Sequence, residues 1–253
     1  MIANIGWRGF FIALGIVSLV WLGPWLAWMP RTGASAVAQV FERPSISDIL
    51  KQRAAWGAFA AHFCGNYYWF FLLTWLPSYL VSERHFSMQG MAKVSSLAFI
   101  FIAAATLTAG WISDHLVARG FSVTLVRKAA VVFGLSFSAI IIPAGFTDNI
   151  ATCIVFLYLG CIGFGTFTSN HWAITQTLAG PLAAGRWSSL QNGVGNLAGV
   201  AAAWLTGVIV EKTHSYPSAF VVAAVFAVVG AFCWGVVVGK VEQVQWRYAE
   251  KPA

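Results

Sequence analysis

Residues 219–239 read AFVVAAVFAVVGAFCWGVVVG and carry no charged side chain. A helix of about 20 apolar residues crosses the hydrocarbon core of a bilayer, which is about 30 Å thick. The stretch has that length, and it lacks the strict alternation of polar and apolar residues that marks the strands of a membrane barrel. These residues therefore predict a membrane-spanning helix.

Six further uncharged runs of similar length precede this stretch, over residues 9–29, 54–81, 94–113, 129–146, 150–177 and 187–210. Charged residues make up 9% of the 253-residue chain, against about 25% in a soluble domain. This composition excludes an ordinary soluble enzyme, and the 13 tryptophans and 20 phenylalanines exclude a disordered chain. The sequence therefore predicts an all-α, polytopic transmembrane helical bundle of about seven spans in the lipid bilayer.

The positive charges mark one side of this predicted bundle. Alternate loops divide the 15 Lys and Arg residues 11 to 4, the smaller group being Arg8, Arg84, Lys93 and Lys212. Basic residues collect in the cytoplasmic loops of membrane proteins. We therefore interpret the net charge of +7 as a marker of topology rather than of nucleic-acid binding. We expect a cytoplasmic C-terminus and, for a bacterial source, the inner membrane.

The runs divide the chain into four segments. These are a first membrane helix (residues 1–30), a cytoplasmic loop (31–53), a six-helix bundle (54–240) and a cytoplasmic tail (241–253). Within the loop, Ser45 or Ser47 could cap a short amphipathic helix, and an irregular connector fits the same residues equally well. Seven spans and a cytoplasmic C-terminus place the N-terminus on the outer side of the membrane. The first helix then begins almost at the first residue, as expected if the chain is a piece of a larger protein.

Five short motifs follow one another along these runs. They are GWR at residues 6–8, NYYWFFLLTWLPSYL at 66–80, GWISDH at 110–115 followed by RG at 119–120, SNHWA at 169–173, and GRWSSLQN at 185–192 leading to GNLAG at 195–199. Together they resemble the C-terminal half of a major facilitator superfamily transporter, preceded by that family's sixth helix. More narrowly, the chain resembles the anion:cation symporter branch, whose members carry hexuronates, aldonates, glucarate, tartrate and other organic acid anions.

This resemblance implies twelve helices in two halves, with the substrate held between them near the middle of the membrane. It implies transport of a small organic or sugar-acid anion, together with a proton or another coupling ion, by alternating access. The first five helices are not in this sequence. In this branch, acidic and arginine residues of those helices couple protons and bind the carboxylate of the substrate. A complete site therefore needs the missing N-terminal half.

Two other functions also fit the sequence. One is a truncated membrane fragment or interaction partner that does not transport, and the other is a half-transporter that pairs with a second chain. No spacing typical of a catalytic triad, a zinc protease or a phosphate loop is present, and the four cysteines lie in apolar stretches where they serve as packing residues. We therefore expect no enzyme activity, no cofactor and no metal.

Candidate substrate-binding residues begin in the run at 54–81. An ionisable side chain inside a span usually faces the interior of the bundle, which makes His62 a candidate. Asn66 follows one helical turn later on the same face, and Tyr67 adds a hydroxyl group. The alternative for each is a hydrogen bond between neighbouring helices.

The runs at 150–177 and 187–210 supply the other candidates. Four consecutive residues from 169 to 172 cover every face of a helix, so only some of Ser169, Asn170 and Trp172 can reach a cavity. Asn192 and Asn196 are four residues apart and project from one face. Buried amides in lipid need partners, and the resemblance places an asparagine of this helix in the substrate site.

The resemblance also implies a conformational latch. In this family, the acid at the position of Asp114 bonds the N-terminus of the eleventh helix and nearby basic residues, and so holds the outward-facing state. A helix N-terminus attracts a carboxylate, which supports this role. We take Arg119 and Arg186 as the basic members of the latch, with Arg127 and Lys128 as further possible partners of Asp114.

Overall fold

A computed structural model describes residues 2–29 and 44–246, and every regular element in these ranges is a helix. The predicted all-α fold is therefore confirmed. The chain divides into two compact units, residues 1–41 and 42–253, and each is described by itself. Residues 1, 30–43 and 247–253, which include parts of the predicted first helix, loop and tail, lie outside the described residues.

The first unit consists of α1 (Ile2–Leu19) and α2 (Leu22–Trp28). The backbone of Gly6 has a φ of 67° and interrupts the helical geometry of α1. Most of the large apolar side chains described in this unit are exposed, as a helix that contacts lipid requires. The range Gly6–Trp28 is long and apolar enough to cross a membrane and covers most of the predicted first span.

The second unit contains the other helices, in an order that matches the six remaining runs. They are α3 (Ile46–Leu50), α4 (Arg53–Ser82), α5 (Met88–Ala118), α6 (Val123–Ser138), α7 (Ile142–Phe146), α8 (Ile150–Thr213) and α9 (Pro217–Phe232). A 3-10 turn (Ala139–Ile141) joins α6 to α7, and a π turn (Cys233–Val237) extends α9.

Length and hydropathy qualify five stretches of the described chain as membrane spans: Gly6–Trp28, Met88–Ala118, Val123–Phe146, Ile150–Thr213 and Pro217–Val237. With 30 residues, α4 is long enough to span as well. It is less apolar than the others because His62, Asn66 and several tyrosines interrupt it. This long helix with its polar side chains also contributes many buried residues to the core of the unit.

The 64-residue helix α8 is divided by a break at Gly180, where φ is 64° and ψ is 175°. A positive φ favours glycine, and Pro181 cannot donate a backbone hydrogen bond across the break. The Gly-Pro pair thus ends one helix and begins another, between the predicted runs at 150–177 and 187–210. We call residues 150–179 the first arm and residues 181–213 the second arm of α8.

The helix α8 forms the centre of the unit. It packs against α4, α5 and α6, while α9 covers α4 and α6. Small residues allow the closest crossing, since a Cβ built on Gly134 of α6 would lie 2.8 Å from the carbonyl oxygen of Gly163 on the first arm. Close backbone approach at small residues is typical of membrane helix pairs.

Residues 241–246, here called the C-terminal segment, run back across the break in α8. The backbone N–H of Val244 donates to the carbonyl of Leu178 at 2.9 Å, and the indole N–H of Trp246 donates to the carbonyl of Ala179 at 2.9 Å. Carbonyl groups at the end of a helix lack partners within that helix. The C-terminal segment therefore supplies partners where Gly180 interrupts α8.

Several other contacts gather at this same end of the unit, which we call the Gly180 end. Arg186 donates to the carbonyl of Pro44 at 2.6 Å, and Lys128 donates to the carbonyl of Gly239 at 2.7 Å. The short helix α3 begins here with Ser45 as its N-cap, whose hydroxyl accepts a hydrogen bond from the backbone N–H of Asp48. A capped helix at this position confirms the helical interpretation of these loop residues over an irregular connector.

Candidate functional site

A cavity of about 330 Å³ opens between α4 and the two arms of α8. Its polar lining consists of His62, Asn66, Thr168, His171, Asn192 and Asn196. Its aromatic lining consists of Trp69, Phe70, Phe164, Phe167 and Trp172. Charged side chains are absent from the lining within the described ranges, so the cavity offers amides, a hydroxyl group, imidazoles and ring faces.

The helix α4 places His62 and Asn66 one turn apart on the wall of this cavity. The amide Nδ2 of Asn66 lies 3.4 Å from His62 Nε2. On the facing second arm of α8, a Cβ built on Gly195 would overlap the imidazole ring of His62. The glycine therefore lets the second arm approach α4 closely enough for the ring to pack against its backbone.

Asn192 and Asn196 project from the second arm toward the open side of the cavity, where both are exposed. The Nδ2 group of Asn196 donates to the backbone carbonyl of Asn192 at 2.8 Å and to its side-chain oxygen at 3.1 Å. The predicted i, i+4 pair is thus present on one face of the helix. The amide N–H groups of Asn192 are available to a ligand at the mouth of the cavity.

Trp172 on the first arm completes the wall beside His62. Its ring meets the His62 ring edge-on, with centroids 5.1 Å apart. Trp69 of α4 stacks on Phe164 of the first arm at 6.0 Å. These rigid aromatic faces surround the polar groups, an arrangement typical of small-molecule sites with a few polar contacts that set orientation.

Tyr67, predicted as a substrate residue, does not line the cavity. It is fully buried, its hydroxyl lies 3.1 Å from Thr206 Oγ1, and its ring stacks on Phe226 at 3.9 Å. One residue beyond Asn66, it is rotated by about 100° around the helix. The expected position in the cavity is therefore corrected: Tyr67 joins α4 to the second arm and to α9.

Ser169 and Asn170 also lie away from the cavity. Ser169 faces α5, where a Cβ built on Gly110 would lie 3.2 Å from its hydroxyl oxygen. Asn170 is fully buried and accepts a hydrogen bond from Arg127 Nη1 at 3.1 Å. Ser169 and Asn170 thus lie on the side of the helix that faces α5 and α6, and neither lines the cavity where they were expected.

Asp114, the proposed latch residue, forms an ion pair with Arg127. The same guanidinium reaches Asn170, so α5, α6 and the first arm of α8 are linked through one side chain. Arg119 is exposed at the end of α5, and Arg186 donates to Pro44 as described above. The ion-pair partner of Asp114 is thus Arg127, one of the two further possible partners that the sequence analysis named.

His171 is the principal cavity residue that the sequence analysis did not single out. Its ring stacks on His62 with centroids 5.0 Å apart and on Phe167 at 4.5 Å, and the residue is only 3% exposed. The rule that singled out His62, an ionisable group inside a span, applies to it equally. Within the described ranges, no three His, Cys, Asp or Glu side chains come together as they would around a metal ion.

Comparison with known proteins identifies the family of the chain. A profile described as "Major Facilitator Superfamily" matches residues 1–203. The chain is 26% identical over 267 residues to the probable galactarate/D-glucarate transporter GarP of Escherichia coli K12, an alignment that covers 95% of this chain and 60% of that protein. It is 28% identical over 242 residues to the hexuronate transporter of Bacillus subtilis 168, covering 88% of this chain and 56% of that protein.

A solved structure shares the fold. A crystal structure of the peptide transporter POT superposes with a TM-score of 0.58 at 18% sequence identity, and the match covers 80% of this chain and 42% of that one. The chain spans about 60% of the length of GarP. Because the family profile matches well over half of its residues, the chain belongs to the Major Facilitator Superfamily.

Proposed function

We propose that the chain forms the C-terminal half of a secondary transporter for small organic anions, with sugar acids as its substrate class. The observation that carries this proposal is the cavity between α4 and the two arms of α8, where polar groups and aromatic rings converge. Its volume of about 330 Å³ suits a small solute, since such sites usually measure about 300 to 1,000 Å³. The names of the relatives, galactarate/D-glucarate and hexuronate transporters, support the same substrate class.

The proposed contacts follow from the polar lining of the cavity. The amides of Asn66, Asn192 and Asn196 and the hydroxyl of Thr168 would bond the hydroxyl groups of a sugar acid, while His62 would face its carboxylate. The ring of Trp172 would cover an apolar face of the sugar. The solute would cross as a bound complex with a proton or another coupling ion, and the proposal includes no covalent step.

A second bundle of helices completes the site in this proposal. Asn192 and Asn196 are exposed on the open side of the cavity, where the other half of a two-half transporter would pack. Residues 1–30 then correspond to the sixth span, 31–53 to the loop between halves, 54–240 to the second half and 241–253 to a tail. The latch at Asp114, with Arg127 as its ion-pair partner and with Arg119 and Arg186 as its other basic members, belongs to the same proposal.

The proposed location is the inner membrane of a bacterium, with the Gly180 end in the cytoplasm. Arg53, Lys128 and Arg186 belong to the larger group of basic residues, and all three donate to backbone carbonyls at the Gly180 end. The positive-inside rule supports a cytoplasmic position for this end and for the C-terminus.

Binding of labelled D-glucuronate to the chain in nanodiscs tests the substrate class. We expect saturable binding that unlabelled D-glucarate displaces and that D-glucitol, an uncharged sugar alcohol, does not. Asn192→Ala should weaken binding, and the matched control Gln176→Ala should not, because Gln176 is an exposed amide outside the cavity. Equal displacement by D-glucitol, or no binding, would overturn the proposed substrate class.

Uptake by vesicles that contain only this chain tests transport itself. Saturable uptake of D-glucuronate under an inward proton gradient would show that copies of this chain suffice. Binding without uptake at any density of the chain would overturn transport as an activity of this chain alone and favour a membrane fragment that needs a second bundle.

A further inference from the structure

Two imidazole rings meet in the wall of the cavity. His62 of α4 and His171 of the first arm of α8 lie with ring centroids 5.0 Å apart and ring planes 24° apart. Each residue is 3% exposed. Among the residues that line the cavity, these two have the titratable side chains.

Most nitrogens of the two rings lack a hydrogen-bond partner among the described residues. Within the described part of the chain, neither nitrogen of His171 has a hydrogen-bond partner, and the same holds for Nδ1 of His62. His62 Nε2 has a long contact of 3.4 Å with the amide of Asn66. Buried polar atoms nearly always have a partner. Two buried rings with open nitrogens beside a cavity therefore indicate groups that a ligand satisfies.

The groups that face the pair from the packed helices are uncharged within the described ranges. Amides of Asn66 on α4 and Asn192 on the second arm face His62. The backbone carbonyls of Phe167 and Thr168 lie near His171 on its own helix, and the ring of Trp234 lies 6.2 Å away beyond it. None of these groups supplies a fixed positive charge to an anion in the cavity.

The two cations of α6, Arg127 and Lys128, do not face the pair, and Lys128 donates to the carbonyl of Gly239. Arg127 is bonded to Asp114 and Asn170 and does not line the cavity. The residue that α5 contributes to the lining is Ile102, which is apolar. Among the residues that the structure describes, positive charge at this wall of the cavity can therefore come only from a proton on one of the two imidazoles.

We infer that the His62–His171 pair is the charge-bearing element of the cavity, and that it takes up one proton when a carboxylate binds. This inference rests on the proposed transport of anions. An imidazole nitrogen gains a proton from the aqueous phase, the imidazolium neutralises the carboxylate, and the proton returns to water when the anion leaves. Two imidazolium rings at this separation would repel each other, so the pair takes up one proton and not two.

Isothermal titration calorimetry on the unmodified chain in nanodiscs tests the proton balance. D-glucuronate, a monoanion, is titrated at about pH 7.5 in two buffers that differ in their heat of ionisation, since the difference in heat gives the protons taken up. We expect about one proton per anion bound, and an affinity that falls about tenfold for each further pH unit.

Variants identify the group that takes up the proton. The double variant His62→Gln/His171→Gln retains hydrogen-bonding side chains but cannot accept a proton, so proton uptake and the pH dependence should both disappear. The control is His115→Gln, an exposed histidine at the end of α5, which should change neither quantity.

A second measurement leaves the pair intact and so does not depend on the folding of the double variant. The chain has five histidines, and replacing the three exposed ones (His85→Asn, His115→Gln, His214→Asn) leaves only the pair. In ¹⁵N-histidine spectra of this variant, D-glucuronate should convert the nitrogen signals of one ring from the neutral to the imidazolium type.

The outcomes separate this inference from the proposed function. Anion binding with no proton uptake, or with no change in the histidine spectra, would overturn the inference and leave anion transport standing. The same is true if the double variant still takes up a proton. No binding of D-glucuronate at any pH would overturn the proposed function itself.

Discussion

Several polar groups at the Gly180 end bond to distant parts of the chain, whereas most imidazole nitrogens in the wall of the cavity lack a partner within the described ranges. At the Gly180 end, Trp246 and Val244 bond the carbonyl groups beside the break in α8. In the cavity, three of the four imidazole nitrogens have no hydrogen-bond partner within the described ranges. Both regions lie in the same unit and involve the same helix.

This difference separates residues that hold the helices together from residues that are available to a ligand. A bonded polar group stabilises the fold, and its loss leaves a buried partner unsatisfied. An unbonded group contributes little to stability and is often retained for function at some cost in stability. Changes at the Gly180 end should therefore alter unfolding without altering binding, and changes in the cavity should do the reverse.

Trp246→Ala should have the largest effect on stability. The indole is 7% exposed and bonds the carbonyl of Ala179 at the break. Its loss leaves a cavity and an unsatisfied carbonyl, and we expect the free energy of unfolding to fall by about 2–4 kcal/mol. Denaturant unfolding in micelles measures this loss. The control Trp204→Ala, where the ring is 68% exposed, should change the free energy by less than about 0.5 kcal/mol.

An unchanged affinity for D-glucuronate in the folded Trp246→Ala variant would support the separation of the two regions. A large loss of affinity at unchanged stability would contradict it, because the C-terminal segment would then act on the cavity rather than on the fold.

Gly195→Ala should affect both stability and binding, because Gly195 lies where the second arm packs against His62. A Cβ at this position overlaps the imidazole ring, so the helices must separate or the ring must turn. Such overpacking costs about 1–3 kcal/mol and should weaken anion binding. Gly193→Ala is the matched control, because nothing lies within 4 Å of a Cβ built there, and alanine is the better helix former by about 1 kcal/mol.

Thermal unfolding and D-glucuronate binding of these two glycine variants test how closely the second arm of α8 packs against α4. If Gly195→Ala is as stable as Gly193→Ala and binds as well as the unmodified chain, then the helices do not meet as closely as the structure has them.

Local sequence patterns predict the helices well. Membrane spans depend on runs of apolar residues, and a Gly-Pro pair interrupts a helix wherever it stands, so the break at Gly180 was predictable. The pair Asn192 and Asn196 follows from the spacing of a helical face. The local pattern does not predict the full length of the second arm. This helix begins at residue 181, six residues before the uncharged run at 187–210.

Contacts between distant segments were not predictable in the same way. Which face of a helix lines the cavity depends on its neighbours, so Tyr67, Ser169 and Asn170 fit the pattern as well as the true lining residues do. His171 was within the predicted cluster but was not chosen. The sequence predicts a tail from residue 241 onward, because nothing in the local pattern shows that Trp246 reaches the end of the first arm of α8.

The neighbouring residues Asn66 and Tyr67 allow the same distinction to be tested within one turn of α4. Tyr67→Phe removes the hydrogen bond to Thr206, and we expect a loss of about 0.6 kcal/mol in unfolding free energy with unchanged binding. Asn66→Ala removes a cavity amide and should lower the affinity for D-glucuronate about tenfold, as expected for a lost hydrogen bond to a ligand, with little change in unfolding. The reverse pattern would show that Tyr67 contacts substrate after all.

The smallest expected effect is local to the Gly180 end and depends on pH. The hydroxyl and the backbone N–H of Ser45 both donate to the Asp48 carboxylate, and these bonds hold the pKa of Asp48 below its ordinary value of 3.8. A lowered pKa means that the cap stabilises α3 fully above pH 3.8 and is lost as the pH falls through the lowered value. Amide hydrogen exchange in α3 should therefore accelerate at acid pH relative to α4, while binding in the cavity at neutral pH stays the same. Ser45→Ala removes the hydroxyl group and should accelerate hydrogen exchange in α3 already at neutral pH. In this variant, the exchange rate in α3 should depend less on acid pH. If the variant shows the same acid dependence as the unmodified chain, then this cap does not stabilise α3.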